Sequence, residues 1–421
     1  MQHLSVRPPA PSASIPSVQP PALTLRDEPS IAVLPFTNMS GDREQEYFSD
    51  GITDDLITAL SRLPDLFVIA RTSTFTYKSK PAKVQDISRE LGVKYILEGS
   101  VRKEANEVRI TAQLVDAASG DHLWAAHYDR PLKDIFSLQD EIVRRIVTTL
   151  KLRLPLDMQW REYFVGQHTD NAEAYDDYLR GSQYVTTFSA ASTSKAKEMF
   201  EKAIELDPAY TDAYTMLGYT YFWSWYSQYS GDDPEVLDRA IGLEQKAIAL
   251  DDAHANAHAN LCRFYPFKRQ YDQAVTECQR AIKLAPSYPY SDFSLAEALN
   301  RSGKPRVAIG FVESAERIDP RNRGLYELDR GAAYILMGRY AEAIPIFKAY
   351  FVSYPHVMWA HVWQAIAYAE LGRWEEARAE TPEIMRISPG FSLKAEKERM
   401  SLQDDTVEER YINDLRKAGL K

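Results

Sequence analysis

Asp252, Pro286, Pro320, Pro355 and Pro389 stand 34, 34, 35 and 34 residues apart, and each proline closes a run with alanine, aromatic and aliphatic residues at helical spacing. A period of this length belongs to a helix-turn-helix unit too small to bury its own apolar face, so it must stack on copies of itself. The cleanest unit is 255–288, with Leu261, Cys262 and Tyr265 in a first helix and Ala274, Cys278 and Ala281 in a second. Small residues at the crossings let the two helices approach, and Tyr265 fills the gap between units. Earlier units fit with insertions: one runs through Gly181, Tyr184, Ala196, Phe200 and Ala203 to Pro208, the next through Leu217, Gly218, Tyr221, Ala240, Leu243 and Ala247. Later ones carry Leu295, Ala296, Ala308 and Ala315, then Gly331, Tyr334, Ala343 and Phe347, then Tyr368 and Ala377.

This spacing resembles that of tetratricopeptide repeats, about six of them over residues 171–389; an unrelated helical array is the alternative. The resemblance implies a curved solenoid whose inner wall is lined by the first helix of each unit, and it points to Tyr219, Arg263, Tyr290, Phe293, Glu297 and Trp359 as wall residues. Aromatic anchors with a few charges hold a peptide or protein helix without breaking a bond. Packing within the array is the alternative for each of the six.

Upstream, residues 31–36 are continuously apolar and too short for a helix, which predicts a buried strand ending near Pro35. Tyr47, Phe48, Ile52, Leu56, Ile57, Leu60 and Leu63 follow helical periodicity up to Pro64, and a strand Phe67–Ala70 comes next. A helix over about 83–91 stops at Gly92. Three strands in meander order follow. In the second, Val108, Ile110, Ala112 and Leu114 alternate with Arg109, Thr111 and Gln113, which predicts one dry sheet face. A helix over 134–150 closes the order strand, helix, strand, helix, three strands, helix. The fold class expected is therefore a small α/β domain at 31–150, a linker at 151–170, the helical solenoid at 171–389 and capping helices at 390–421. Residues 1–30, with Pro8, Pro9, Pro11, Pro16, Pro20, Pro21 and Pro29, read as an extended tail or linker.

The runs Ser30–Phe36, Tyr47–Gly51, Ile52–Arg71, Glu90–Arg102, Arg109–Asp116 and Leu123–Leu138 resemble the region that follows the catalytic domain in bacterial class III adenylate and guanylate cyclases, a unit similar to the amino-terminal domain of TolB. In that family tetratricopeptide repeats commonly come next, and Tyr411–Leu420 looks like its terminal segment. Similar modules occur behind DNA-binding domains in some transcriptional regulators. The paired metal-binding aspartates of a cyclase would lie upstream of Ile31, so no cyclase site is carried over onto these residues. The resemblance implies a bacterial signalling role as a non-enzymatic interaction or regulatory scaffold, with the regulatory part of a cyclase or of a transcriptional regulator as the alternative.

Composition narrows the partners. With 60 acidic against 50 basic residues and a formal net charge of -10, the chain offers no broad basic field for a nucleic-acid duplex. No apolar stretch approaches the roughly 20 residues that span a bilayer, which predicts a soluble, cytoplasmic chain. A protein or peptide in the groove is the partner expected, and a homo-oligomer stays open. Cys262 and Cys278 face each other across a helix pair; a disulfide is allowed by the spacing, and buried free thiols are the reading preferred.

No catalytic, cofactor or metal site is expected. His254 and His258 share a helix face but have no glutamate within that turn, so with Asp251 and Asp252 they read as a repeat start. Gly41, Gly51, Gly92 and Gly99 are too dispersed to cradle phosphates. Asp50, Asp54 and Asp55 read as helix-start carboxylates. Two segments stay open as contact surfaces. Arg71, Lys78 and Lys80 around Phe75 and Tyr77 form either a grip for an anionic or aromatic partner or a solvated loop. Phe222, Trp223, Trp225, Tyr226 and Tyr229 are expected to plug the solenoid against the first domain, an exposed docking patch being the alternative.

Overall fold

The computed structural model describes residues 28–80, 82–152, 169–185, 189–227 and 235–421. A small β/α domain leads into a helical solenoid. The first domain holds strands β1 (Ser30–Val33), β2 (Thr37–Asn38), β3 (Phe67–Val68), β4 (Tyr95–Glu104), β5 (Glu107–Asp116) and β6 (His122–Pro131), with helices α1 (Glu46–Ser61), α2 (Arg71–Thr74), α3 (Val84–Leu91) and α4 (Ile135–Thr149).

Its sheet runs in the order β3-β1-β4-β5-β6, and β2 pairs with the far half of β4. The β1 pairings are parallel and β4 to β6 form an antiparallel meander. Alternation along β5 sends Val108, Ile110, Ala112 and Leu114 under α1 and α4, where all four are buried. Opposite, α3 covers only the parallel end, with Ile87 and Leu91 against Ala32, Ile69 and Ile96. Gly92 ends α3 in the left-handed region at φ 69°.

Six antiparallel helix pairs follow: α5 and α6 (Ala172–Val185, Ala190–Leu206), α7 and α8 (Thr211–Tyr226, Glu235–Leu250), α9 and α10 (Ala255–Phe264, Tyr271–Leu284), α11 and α12 (Pro289–Arg301, Pro305–Ile318), α13 and α14 (Arg323–Leu336, Tyr340–Ser353), and α15 and α16 (Met358–Glu370, Trp374–Ile387). Within each pair the core is alanine facing aromatic or aliphatic side chains. Gly331 shows why the small residue is needed: a Cβ there would stand 2.5 Å from the Phe347 ring. Last come α17 (Leu393–Met400) and α18 (Asp405–Lys417).

Three expectations need correcting. Cys262 and Cys278 form a disulfide, with Cα atoms 5.0 Å apart, instead of free thiols; the alanine-lined crossing of α9 and α10 brings their backbones that close. The segment 71–80 is not a solvated loop throughout but opens with α2, and the charges of Arg71 and Lys78 are used internally, while Lys80 is exposed. Arg71 lies over the Phe75 ring at 3.9 Å, Lys78 pairs with Asp50 at 2.6 Å and Glu46 at 3.0 Å, and the Tyr77 hydroxyl donates to Glu90. The aromatic run after Tyr221 continues α7 and packs inside the solenoid, with Phe222 stacked on Phe264 at 4.3 Å, instead of against the first domain. Tyr229 and the following aspartates lie outside the described residues, as do residues 1–27 and most of the expected linker.

Candidate functional site

The solenoid winds tightly enough to meet itself. Tyr226 at the end of α7 stacks on Trp359 at the start of α15, ring centroids 4.4 Å apart. The C-terminal segment crosses back to the third pair: the Tyr271 hydroxyl donates to the Ser401 carbonyl at 3.1 Å, Ser401 Oγ to the Pro266 carbonyl at 2.7 Å, and Arg269 pairs with Asp405 and Glu408 at 2.6 and 2.7 Å. The first domain covers another side of the concave face. Its Ala70 N–H donates to the Ile318 carbonyl at 2.9 Å, and Ser287 N–H to the Ser61 carbonyl at 3.2 Å.

Asp319 fastens that junction. It is fully buried and its carboxylate accepts from Thr72 Oγ1 at 2.7 Å, Ser73 Oγ at 2.6 Å and Tyr326 Oη at 2.9 Å. Burial pushes its pKa up, although the three hydroxyls work the other way. Between the sheet domain and the inner helices this leaves a cavity of ≈ 1270 Å³.

All six residues to which the tetratricopeptide resemblance points line that cavity. Tyr219 lies on α7, Arg263 on α9, Tyr290, Phe293 and Glu297 on α11, and Trp359 on α15, so each stands on the first helix of its pair. The structure joins five of them in one network. Arg263 Nε meets Glu297 Oε2 at 2.9 Å, while Arg301 Nη1 takes Glu297 Oε1 at 2.9 Å. The Arg263 guanidinium also lies 5.1 Å from the Trp223 ring, 5.2 Å from Phe293 and 5.7 Å from Tyr290, within cation–π range. Tyr219 meets Tyr290 edge to face at 6.1 Å. Trp359 is engaged by Tyr226 instead.

Burial would raise the Glu297 carboxyl, yet Arg263 and Arg301 hold it below its ordinary value. Asp329, on α13 beside them, goes the opposite way: burial, with Glu297 as a like charge, pushes it up to about 7 against the pull of the two arginines. At the α1 end of the cavity Asp55 is likewise pushed up to about 7, first by burial and then by Asp54 and Asp212, while Tyr175 and Gln139 donate to it.

A family model described as HilA/YgeH-like transcriptional regulator, second domain, matches residues 27–147. Tetratricopeptide-repeat models match residues 192–210, 267–323 and 328–381. The helix pairs form a tetratricopeptide-like repeat solenoid, and the matches fall on parts of it. A putative adenylate cyclase 3 of Rhizobium meliloti (strain 1021) is 45% identical over 255 residues, which make up 61% of this chain and 43% of that protein. The chain thus spans less than half the length of that relative. Superkiller protein 3 of Schizosaccharomyces pombe (strain 972 / ATCC 24843) is 23% identical over 223 residues, 51% of this chain and 15% of that protein. Among solved structures, pilF of Pseudomonas aeruginosa is similar at 20% identity over 56% of this chain and 98% of that chain, with a TM-score of 0.38.

Several cavity residues escaped the sequence reading. Asn300, Arg301 and Asp329 also stand on inner helices of the repeats, so repeat position is the signal that could have found them. Asp54 and Asp55 sit in the middle of α1, which begins at Glu46, and so are not helix-start carboxylates. Their cavity position depends on domain docking, for which the sequence carries no signal. The histidine pair behaves as a repeat start: His254 caps α9 by accepting from Ala257 N–H at 3.2 Å and bonds Asp212 at 2.9 Å. Among the described residues no group of three or more His, Cys, Asp or Glu could hold a metal ion, and no helix is long and apolar enough to cross a membrane.

Proposed function

We propose that this chain is the regulatory part of a cyclase-type bacterial signalling protein acting in the cytoplasm, and that it works by holding a peptide or protein segment inside the repeat groove. The observation that carries the reading is the 45% identity over 255 residues to a putative adenylate cyclase. The chain itself performs no chemistry in this reading. Tyr219, Arg263, Tyr290, Phe293, Glu297 and Trp359 supply the wall, and the sheet domain, of the type that resembles the TolB amino-terminal unit, closes it from the other side. Because both parts line one cavity, a bound segment touches both and biases how they dock.

The experiment is a chimera. In the Rhizobium relative, the matching region is exchanged for this chain, and cyclic AMP formation from ATP is followed. The expected result is a rate that changes when the exchanged region also carries Trp359→Ala, with no cyclic AMP from the purified chain alone. Turnover by the chain alone, or a rate indifferent to the exchange and to Trp359→Ala, would overturn the proposal. The match of residues 27–147 to a transcriptional regulator's second domain supports a second reading, in which the output module binds DNA. Reporter transcription that follows Trp359→Ala while cyclic AMP does not would select it.

A further inference from the structure

The cavity is bordered by both domains and by the chain's return. An α-helix with its side chains is about 10–12 Å across, and here α1 covers one side while the Tyr226–Trp359 stack and the returning segment 399–408 cross another. Its ≈ 1270 Å³ nevertheless exceeds the space a drug-sized ligand fills. An extended segment of chain meets both conditions.

Its lining has a sign. Among the described residues eight acidic side chains and five arginines line the cavity, with Lys78 paired to one of the eight, Asp50, at its edge. At the α1 end Asp54, Asp55 and Asp212 act on one another as like charges. Against these three carboxylates stand Arg71, 3.5 Å from Asp54, and the imidazole of His254, 2.9 Å from Asp212. Deeper in, Asp329 is 7% exposed and forms no ion pair among the described residues. The charged groups acting on it are Arg263 from α9 and Glu297 and Arg301 from α11, and both arginines are already held by Glu297. Tyr350 of α14 is the further titratable neighbour. Asn300 hydrogen-bonds Asp329, and a buried carboxylate whose neighbouring arginines are also engaged by another anion gains when a further positive charge joins it.

We propose that the cavity takes an extended peptide segment bearing lysine or arginine side chains, received by Asp329 at the inner end and by Asp54, Asp55 and Asp212 at the α1 end. This rests on the reading of the groove as a peptide site and names the chemistry of what enters it. Aromatic walls hold the aliphatic stems of such side chains, and the carboxylates hold their heads.

The test uses the full chain and fluorescein-labelled oligolysine and oligoglutamate, titrated by anisotropy. Oligolysine should bind at least about tenfold tighter than oligoglutamate, and Asp329→Asn should weaken it about tenfold, a difference of some 1.4 kcal/mol. Glu375→Gln, which removes an equal charge from the exposed surface, should leave it unchanged. Asp54→Asn serves the same purpose at the other end if Asp329→Asn fails to fold. Equal binding of the two peptides, or variants in the cavity that behave as Glu375→Gln does, would overturn the proposal. So would spermidine saturating the cavity while oligolysine stays free. A captured partner without basic residues, lost on Trp359→Ala, would remove this inference and leave the wider reading standing.

Discussion

Tyr226 and Trp359 lie on the second and sixth helix pairs, yet their rings stack 4.4 Å apart with an interplanar angle of 29°. This contact brings the second and sixth pairs together across the concave side. It also joins parts of the array that would otherwise touch only their neighbours.

The stack should therefore be measurable as a coupling. Trp359→Ala is expected to cost about 2 kcal/mol, less than a fully buried tryptophan because the ring is only half-buried. A double-mutant cycle with Tyr226→Ala, read by urea unfolding, should return about 1 kcal/mol of interaction. Strict additivity would mean that the rings merely lie side by side.

Glu297 is the anion between two buried guanidiniums, so its replacement is more costly than its replacement together with a partner. Glu297→Gln removes the carboxylate that pairs directly with both Arg263 and Arg301 and should lower stability by about 3–5 kcal/mol. The pair Arg263→Met with Glu297→Leu removes one of the two unpaired guanidiniums and should recover part of that loss in a thermal melt. If the double variant is the less stable of the two, the network is worth more than its desolvation.

Asp292, 4% exposed and bonded by Ser314 Oγ at 3.3 Å, is pushed up to about 7 by burial. In the unfolded chain the same carboxyl titrates near 4. Between those two values the folded state holds a proton that the unfolded state has lost, so stability falls as pH rises from about 4 to 7 and is flat beyond. Asp55 and Asp329, both pushed up to about 7, add the same slope. Asp292→Asn should flatten its share and raise stability at pH 8 by on the order of 3 kcal/mol, checked by denaturant unfolding at pH 5 and pH 8. An unchanged slope would place the proton elsewhere.

How much of this was legible follows from which forces are local. Pro286, Pro320, Pro355 and Pro389 each stand two residues after the last residue of a second helix, so the ladder of prolines marks the ends of α10, α12, α14 and α16. That the six named side chains stand on the first helix of their pairs was readable for a related reason, since the period places the first helix of every unit. What the period does not encode is how far the superhelix turns. The meeting of Tyr226 with Trp359 and the return of Ser401 to Pro266 depend on small rotations summed over several pairs. Nor does it encode what covers the groove. Thr72 and Ser73 read as ordinary loop hydroxyls until Asp319, far along the chain, is placed against them. The disulfide was missed for a related reason, since composition argued for thiols while the crossing distance favoured the bond.

That latch gives the last prediction. Asp319 has three hydroxyl donors, two from α2 of the sheet domain and one from Tyr326 of the solenoid, and the Arg321 N–H adds a bond to Ser73 Oγ at 2.9 Å. Asp319→Ala leaves these donors buried and unpaired, each at a cost of about 1–3 kcal/mol. Much of that cost is avoidable if the domains part, because Thr72 and Ser73 then reach water. The variant should therefore keep its helix content by circular dichroism while hydrogen exchange quickens at residues 66–74 and 285–321, on the two sides of the junction. Faster exchange throughout the solenoid would instead make Asp319 part of the repeat core, and unchanged exchange at 66–74 would show that Ala70, Ser61 and Ser287 hold the domains together without it.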